Sequence, residues 1–322
     1  MNSRRHAKLV TAVAAFTAVG MATVMGVPGA SASAPGVPRP ATNDSMTATS
    51  VLPSVAPYSN GFEKNTKSWC NVGAPNPPCD GSPGNYGTIA RVDSGTSNAA
   101  YGTGINAEAG SWYASVSGAG VTPSGCSTYP ASDESCAGPF TTWAKVAPNY
   151  EVFPKPLGFT TSLDIYVDTA WAGANPNNEF EWDTALQGSS TNDSCAPSPP
   201  PCFLQDYIFT AETQTSPAGF VVGISANTNN DPGSGSGSLG SYTPAVLSQT
   251  GWYRFTHRFY KNNAGDLAVE MSITNDATST VVADWTANTT FPIASVGGPL
   301  YGWFPNENIQ SLPIDNLSIV LN

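Results

Sequence analysis

From Thr161 to Asp168 the chain reads TSLDIYVD, and its apolar residues fall on every second position. Leu163, Ile165 and Val167 share one face of an extended strand, while Asp164, Tyr166 and Asp168 share the other. The same period returns in LAVEMSITND, where Leu267, Val269, Met271 and Ile273 alternate with Glu270 and Ser272. Further runs of this kind are EFEWDTAL, QDYIFTAE, GFVVGISAN, TVVADWTA and LPIDNLSIVL, separated by Gly, Pro, Asn and Asp. Helical periodicity is nearly absent. Alternation with one face apolar and one polar is what a half-buried antiparallel strand requires. Many such strands at short spacing predict an all-β fold, a two-sheet antiparallel β-sandwich over residues 58–322. The sequence KNNAGDLAV places turn residues between two strong strands and predicts a hairpin over residues 251–275.

Upstream of that region the composition changes. Arg4, Arg5 and Lys8 precede an apolar run, LVTAVAAFTAVGMATVMGV, and small residues then crowd GASASAPG. Residues 1–34 therefore read as a signal peptide with an Ala-x-Ala cleavage site, and the mature product as secreted, extracellular and without a membrane span. Residues 35–57, rich in Pro, Ser and Thr, read as a linker. NNDPGSGSGSLGS, residues 229–241, reads as a flexible loop. Removing the leader leaves nine basic and 23 acidic residues, a net charge of −14. Such a chain excludes nucleic acid and anionic membrane as partners, because both need clustered Lys and Arg.

Six cysteines fall in three close pairs: Cys70 and Cys79, Cys126 and Cys136, Cys195 and Cys202. In an exported chain this spacing points to three sequential disulfides. Zinc would call for Cys-x₂-Cys spacing and histidine partners, which are lacking.

The mature chain keeps one histidine, His257, in GWYRFTHRFYK. Counting by two puts His257 with Tyr253, Phe255 and Phe259, an aromatic face that reads as core. The same face in a hollow sandwich would line a groove, where an imidazole could act as a base. One histidine rules out His-Glu-x-x-His metalloprotease sites, and no Gly-x-Ser-x-Gly elbow is present.

Chemistry concentrates elsewhere. In EFEWD, Glu179, Glu181 and Asp183 share one strand face with Phe180 and Trp182 behind them. Carboxylates two residues apart on a strand approach the separation of about 5–5.5 Å that retaining glycoside hydrolysis uses. These three are the catalytic candidates; the competing reading is an amphipathic strand with a solvated acidic face. Exposed aromatics stack on sugar rings. Trp252 and Tyr260 on the polar face of the hairpin, with Tyr301 and Trp303 in LYGWF, are the candidate ligand-binding residues; core packing is the alternative for each.

QDYIFTAE, the asparagines at 227, 229 and 230, TGWYRFTHRFYKNNAGDLAVEMSI, VGGPLYGWF and LPIDN together resemble secreted bacterial concanavalin-A-like lectin/glucanase jelly-roll proteins, mostly uncharacterised. The resemblance spans residues 159–317. It implies a jelly roll and, for glucanases of this fold, an acidic strand of the pattern Glu-x-Asp-x-Glu; here Glu and Asp are exchanged at the last two positions. Gln205 stands where the family places Arg, and Pro299-Leu300 where it places Asn-Arg. A looser likeness links Gly61-Phe62-Glu63, Trp69 and Ile314-Asp315-Asn316 to jelly-roll carbohydrate-binding modules. It implies pairing of the first and last strands and a structural calcium held by Glu63 and Asp315; no other cofactor is required. The expectation is a monomeric, noncatalytic carbohydrate-binding protein whose partner is a polysaccharide or cell-wall glycan. The alternatives are a retaining glycoside hydrolase using the Glu179/Glu181/Asp183 strand and a structural cell-envelope protein.

Overall fold

The computed structural model describes residues 58–70, 87–118, 121–122, 125–126, 137–141, 143, 152–154, 157–189, 203–216, 218–227 and 243–322. The expected leader, linker and 229–241 loop lie outside these residues, as do the side chains of the cysteine pairs. The first strands are β1 (Tyr58–Asn60), β2 (Trp69–Cys70), β3 (Thr88–Asp93), β4 (Trp112–Ser117), β5 (Val121–Thr122), β6 (Gly125–Cys126) and β7 (Phe140–Thr141). Then come β8 (Phe159–Val167), helix α1 (Thr169–Ala174), β9 (Glu179–Gly188), β10 (Phe203–Thr215), β11 (Ala218–Asn227) and β12 (Ala245–Leu247). The last are β13 (Gly251–Lys261), β14 (Asp266–Asn275), β15 (Thr280–Pro292), β16 (Val296–Trp303) and β17 (Leu312–Leu321).

Two large antiparallel sheets result, with β5 and β6 forming a separate two-stranded pair. Sheet A runs β15-β14-β13-β8-β17-β4-β3, with β1 also paired to β17; sheet B runs β12-β11-β10-β9-β16-β7-β2. The chain leaves sheet A after β8, builds β9 to β12 in sheet B, returns for β13 to β15, and crosses twice more through β16 and β17. This shuttling closes a two-sheet β-sandwich of jelly-roll type. The first strand pairs with the last, Tyr58 opposite Ile319, as the sequence implies. No described helix is long and apolar enough to cross a membrane.

The core forms where the inward-facing residues of both sheets meet. Phe255 of β13 packs against Phe180 of β9 (5.8 Å between ring centroids) and Phe209 of β10 (5.2 Å). Tyr207 meets Phe259 at 5.6 Å. Within the same core, toward β16, β7 and β2, Trp182 packs with Trp69, Trp143 and Phe304. Gly302 makes room for this group, because a Cβ there would lie 2.6 Å from Trp182 Cη2 and 2.9 Å from Trp143 Cζ2. The 251–275 hairpin closes at Asn262, whose Oδ1 accepts from Ala264 N and Asp266 N, and Gly265 takes φ +93° in the turn.

Candidate functional site

His257 points inward and is fully buried. Its Nδ1 lies 3.1 Å from Thr184 Oγ1, and its ring packs 4.7 Å from Phe209. Burial penalises the imidazolium and pushes its pKa down to about 3, so the ring is neutral at physiological pH. A neutral imidazole sealed between the sheets meets no substrate; of the two readings of its face, core is the one observed.

Glu179, Glu181 and Asp183 do share one face of β9, turned away from sheet A, while Phe180 and Trp182 enter the core. The face is not a solvated strip. Glu181 is 3% exposed and Asp183 fully buried. Strand β10 supplies neighbours that strand alternation alone does not place: Glu212 opposite Glu179, Thr210 opposite Glu181, Ile208 opposite Asp183 and Asp206 opposite Ala185. Thr210 Oγ1 donates to Glu181 Oε1 at 2.9 Å. Asp183 Oδ1 accepts from Tyr207 N at 3.2 Å, whereas its Oδ2 is buried without a hydrogen-bond donor. Burial and the adjacent Asp206 carboxyl hold Asp183 well above the usual carboxylate range.

The outer end of the row is more open. Glu179 and Glu212 are both half-buried. Burial and the facing Glu212 push Glu179 up to about 7, against a hydrogen bond from Asn306 Nδ2 to its Oε1. Asn306 is placed by the segment after β16, which pairs with the start of β9: Glu181 N donates to Asn306 O (2.7 Å) and Asn308 N to Glu179 O (3.1 Å). Among the described residues, no strand of sheet B contains a Lys or Arg.

The four candidate aromatics divide between opposite faces of the sandwich. Tyr301 and Trp303 lie on the outer face of sheet B, opposite Ala185 and Asp183. Trp303 is 7% exposed and donates its indole N–H to Gly138 O, whereas Tyr301 is half-buried beside Phe140. Trp252 and Tyr260 lie on the outer face of sheet A. Trp252 donates to Asn106 O and packs edge-on against Tyr113 and Tyr166, so its ring is fixed beneath the 94–112 segment. Tyr260 is half-buried under the Arg258 guanidinium, 5.0 Å from its ring centroid.

Glu63 and Asp315, the expected calcium ligands, both grip the backbone of that same segment. Glu63 Oε1 accepts from Ser111 N and Trp112 N; Asp315 Oδ2 accepts from Glu108 N and Ala109 N, and its Oδ1 from Asn316 N. A metal-capable grouping lies beside them: Glu108, Asp164 and Asp276 each bring one carboxylate oxygen within 4.8 Å of the others. Arg254 supplies positive charge there, with Nε 2.7 Å and Nη2 2.9 Å from the two oxygens of buried Asp164. Asn316 Nδ2 bridges Asp164 and Glu108.

No protein-family model matches the chain, and no curated protein matches it. Among solved structures it is similar to an alginate lyase from Aplysia kurodai, at 11% identity over 73% of this chain and 90% of that one, TM-score 0.38. It is also similar to an endo-β-1,4-glucuronan lyase from the fungus Trichoderma reesei (8% identity, 73% and 87%, TM-score 0.35) and to a legume lectin-like domain from Entamoeba histolytica (7%, 73% and 90%, TM-score 0.35). Likeness at this level assigns no chemistry, and the sandwich assignment rests on the two sheets themselves.

Proposed function

We propose that this chain is an exported carbohydrate-binding protein that takes its glycan on the outer face of sheet B. One observation carries this reading. Glu179, Glu212 and the half-exposed ring of Tyr301 lie on one sheet face, backed by the closed Glu181–Thr210 pair. Carboxylate acceptors for sugar hydroxyls at one end of β9 and an aromatic ring opposite Ala185, six residues along the strand, give an extended glycan two kinds of contact on one face. Trp252 and Trp303 fall away from the ligand set, since both indoles are committed to backbone carbonyls. Isothermal titration against a panel of polysaccharides tests the proposal. Binding is expected to weaken roughly tenfold in Tyr301→Ala; a folded protein that binds no glycan in the panel, with or without calcium, would end it.

A second reading, retaining hydrolysis, is favoured by the Glu179 carboxyl standing near 7, as a general acid requires. Its partner would be Glu212 rather than Glu181 or Asp183, which are closed to a sugar. Facing residues of an antiparallel pair hold their Cβ atoms about 4.5–5.5 Å apart, which puts the two carboxyl side chains next to each other on the face. In that reaction the Glu212 carboxylate bonds to the anomeric carbon as Glu179 protonates the departing oxygen; water then releases the sugar with Glu179 as base. Reducing-sugar release that persists unchanged in Glu179→Gln would exclude it.

A further inference from the structure

We infer that this protein forms a two-fold dimer by pairing strand β15 edge to edge with the same strand of a second copy, in place of the monomer that the sequence suggests. Sheet A then runs unbroken from one protomer into its partner. Three observations lead there: the state of the sheet edges, the regularity of β15, and the fit of β15 to itself.

A strand at the end of a sheet presents amides and carbonyls with no ladder partner, and proteins blunt such edges by making them short or charged. Sheet B ends on β12 and β2, of three and two residues. Sheet A ends on one side at β3, six residues long, which carries Arg91 and Asp93. Its other end is β15, TVVADWTANTTFP, 13 residues with one charge, Asp284, and no Lys or Arg. Among the described residues β15 pairs with β14 alone. Two of its side chains, Val281 and Val282, are 57% and 41% exposed.

The strand is also held in shape. Trp285 turns inward, where its indole N–H donates to Thr243 O at 3.0 Å and its ring meets Phe209 of β10 at 6.3 Å. Ala287, in the same phase, is buried. The β14–β15 register shifts near both ends of the ladder, yet from Ala283 to Asn288 each residue meets its β14 partner without a shift. A bulge twists an edge away from a second strand, and this stretch has none. Its outward side chains, Asp284, Thr286 and Asn288, are all exposed.

Two copies of this stretch are complementary. With Thr286 on the two-fold axis, antiparallel pairing sets Asp284 opposite the partner's Asn288 and Trp285 opposite the partner's Ala287. Each Asp284 carboxylate then accepts from an amide, each bulky indole meets a methyl group, and Thr286 meets its own copy in a stabilising Thr–Thr pair. Moving the axis to Asp284 would set two carboxylates against each other, which a sheet resists. Val282 comes opposite the partner's Thr290, so part of its exposed surface leaves water. The two-fold axis of such a pair stands normal to the sheet. Both copies of sheet B therefore lie on the same side of the joined sheet, and the glycan site proposed for sheet B is presented twice in one direction.

The test is sedimentation velocity of the full chain across a range of protein concentrations, with no glycan present. Wild type is expected to populate a dimer as concentration rises. Thr286→Lys sets two ammonium groups against each other on the axis and is expected to sediment as a monomer with an unchanged circular dichroism spectrum. Asn288→Asp should weaken the dimer by about tenfold. The exchange Asp284→Asn/Asn288→Asp keeps the net charge of wild type and rebuilds the same pair, so it should restore dimerisation; it carries the test if Thr286→Lys does not fold. Wild type that stays monomeric at every concentration overturns the inference, and slow amide exchange along β15 in that monomer would show the edge covered by the chain itself. A dimer indifferent to Thr286→Lys and Asn288→Asp also overturns it, because the contact then lies on another surface. Failure of the exchange variant to restore what Asn288→Asp weakens overturns the pairing about Thr286.

Discussion

Asp164 on sheet A and Asp183 on sheet B are both fully buried, both on outward-turned positions of central strands, and their surroundings differ in kind. Asp164 receives two hydrogen bonds from Arg254 and a third from Asn316. Asp183 accepts one backbone N–H and shares a side-chain hydrogen bond with a second carboxyl, Asp206. A buried charge is tolerated when paired and becomes a liability when it is not. Asp315 of sheet A and Glu63, just after β1, therefore fasten the 94–112 segment through its amides, with Arg254, Asp164 and Asn316 linked beside Glu108. The hydrogen bonds given to carboxylates of sheet B come from a hydroxyl, an amide side chain and the backbone: Thr210 on Glu181, Asn306 on Glu179 and Tyr207 N on Asp183. The contrast teaches that a buried carboxylate met by a guanidinium serves to fasten a loop, whereas one set beside a second carboxyl is pushed toward its protonated form.

The comparison breaks first at Arg254. Arg254→Ala leaves Asp164 buried with only Asn316, and is expected to cost about 2–3 kcal/mol, discounted from the buried-pair range because Arg254 is partly exposed. Urea unfolding at pH 7 measures it; a loss below about 0.5 kcal/mol would place Asp164 in the same class as Asp183.

Acid behaviour separates the core from the outer faces. His257 stands at about 3 in the fold, while the unfolded imidazole takes a proton below about 6.5. Its neutral burial therefore stabilises the fold above about pH 6.5, and this is lost as pH falls toward 3, at up to about 1.4 kcal/mol per pH unit. Glu179 and Asp276, both pushed up to about 7, run the other way. Their proton is held in the fold and lost by the unfolded chain, so their contribution is present below about pH 4 and is lost as pH rises to 7. Unfolding curves from pH 4 to 7.5 should show His257→Gln losing less stability on acidification than wild type, and Glu179→Gln losing less between pH 4 and 7. Parallel curves for all three proteins would contradict both assignments.

Asp183→Asn removes a carboxyl that burial and Asp206 already oppose, and is expected to raise stability by about 1 kcal/mol at pH 7.5. Asp164→Asn is expected to lower it. Equal signs in the two variants would dissolve the contrast. Least affected is Arg258→Ala, which breaks an exposed pair with Glu270 and should cost about 0.2–1 kcal/mol in the same assay.

Much of the fold was legible because alternation is a local property. The inward set Tyr253, Phe255, His257 and Phe259 and the acidic set Glu179, Glu181 and Asp183 are both found on the faces that counting by two assigns. Pairing is not local. QDYIFTAE alternates as a strand, yet nothing in it tells that Glu212 faces Glu179 or that Asp206 adjoins Asp183. Nor does the spelling of GWYRF tell that Trp252 is roofed by residues from the 94–112 segment. Aromatic residues read well as strand residues and poorly as ligand contacts, because what fixes an indole is a carbonyl far along the chain, Asn106 for Trp252 and Gly138 for Trp303. The calcium expectation at Glu63 and Asp315 came from a likeness to carbohydrate-binding modules; the backbone amides that those carboxylates accept become visible only once the loop is folded over them.

The most direct test compares the two outer faces in one binding experiment. Isothermal titration with the glycan that wild type binds most tightly should be repeated on Glu179→Gln/Glu212→Gln for sheet B and on Arg258→Ala/Tyr260→Ala for sheet A. The expected result is loss of binding in the sheet B variant and unchanged affinity in the sheet A variant. Binding that survives on sheet B and disappears with Arg258 and Tyr260 would place the site on the opposite face and contradict the central claim.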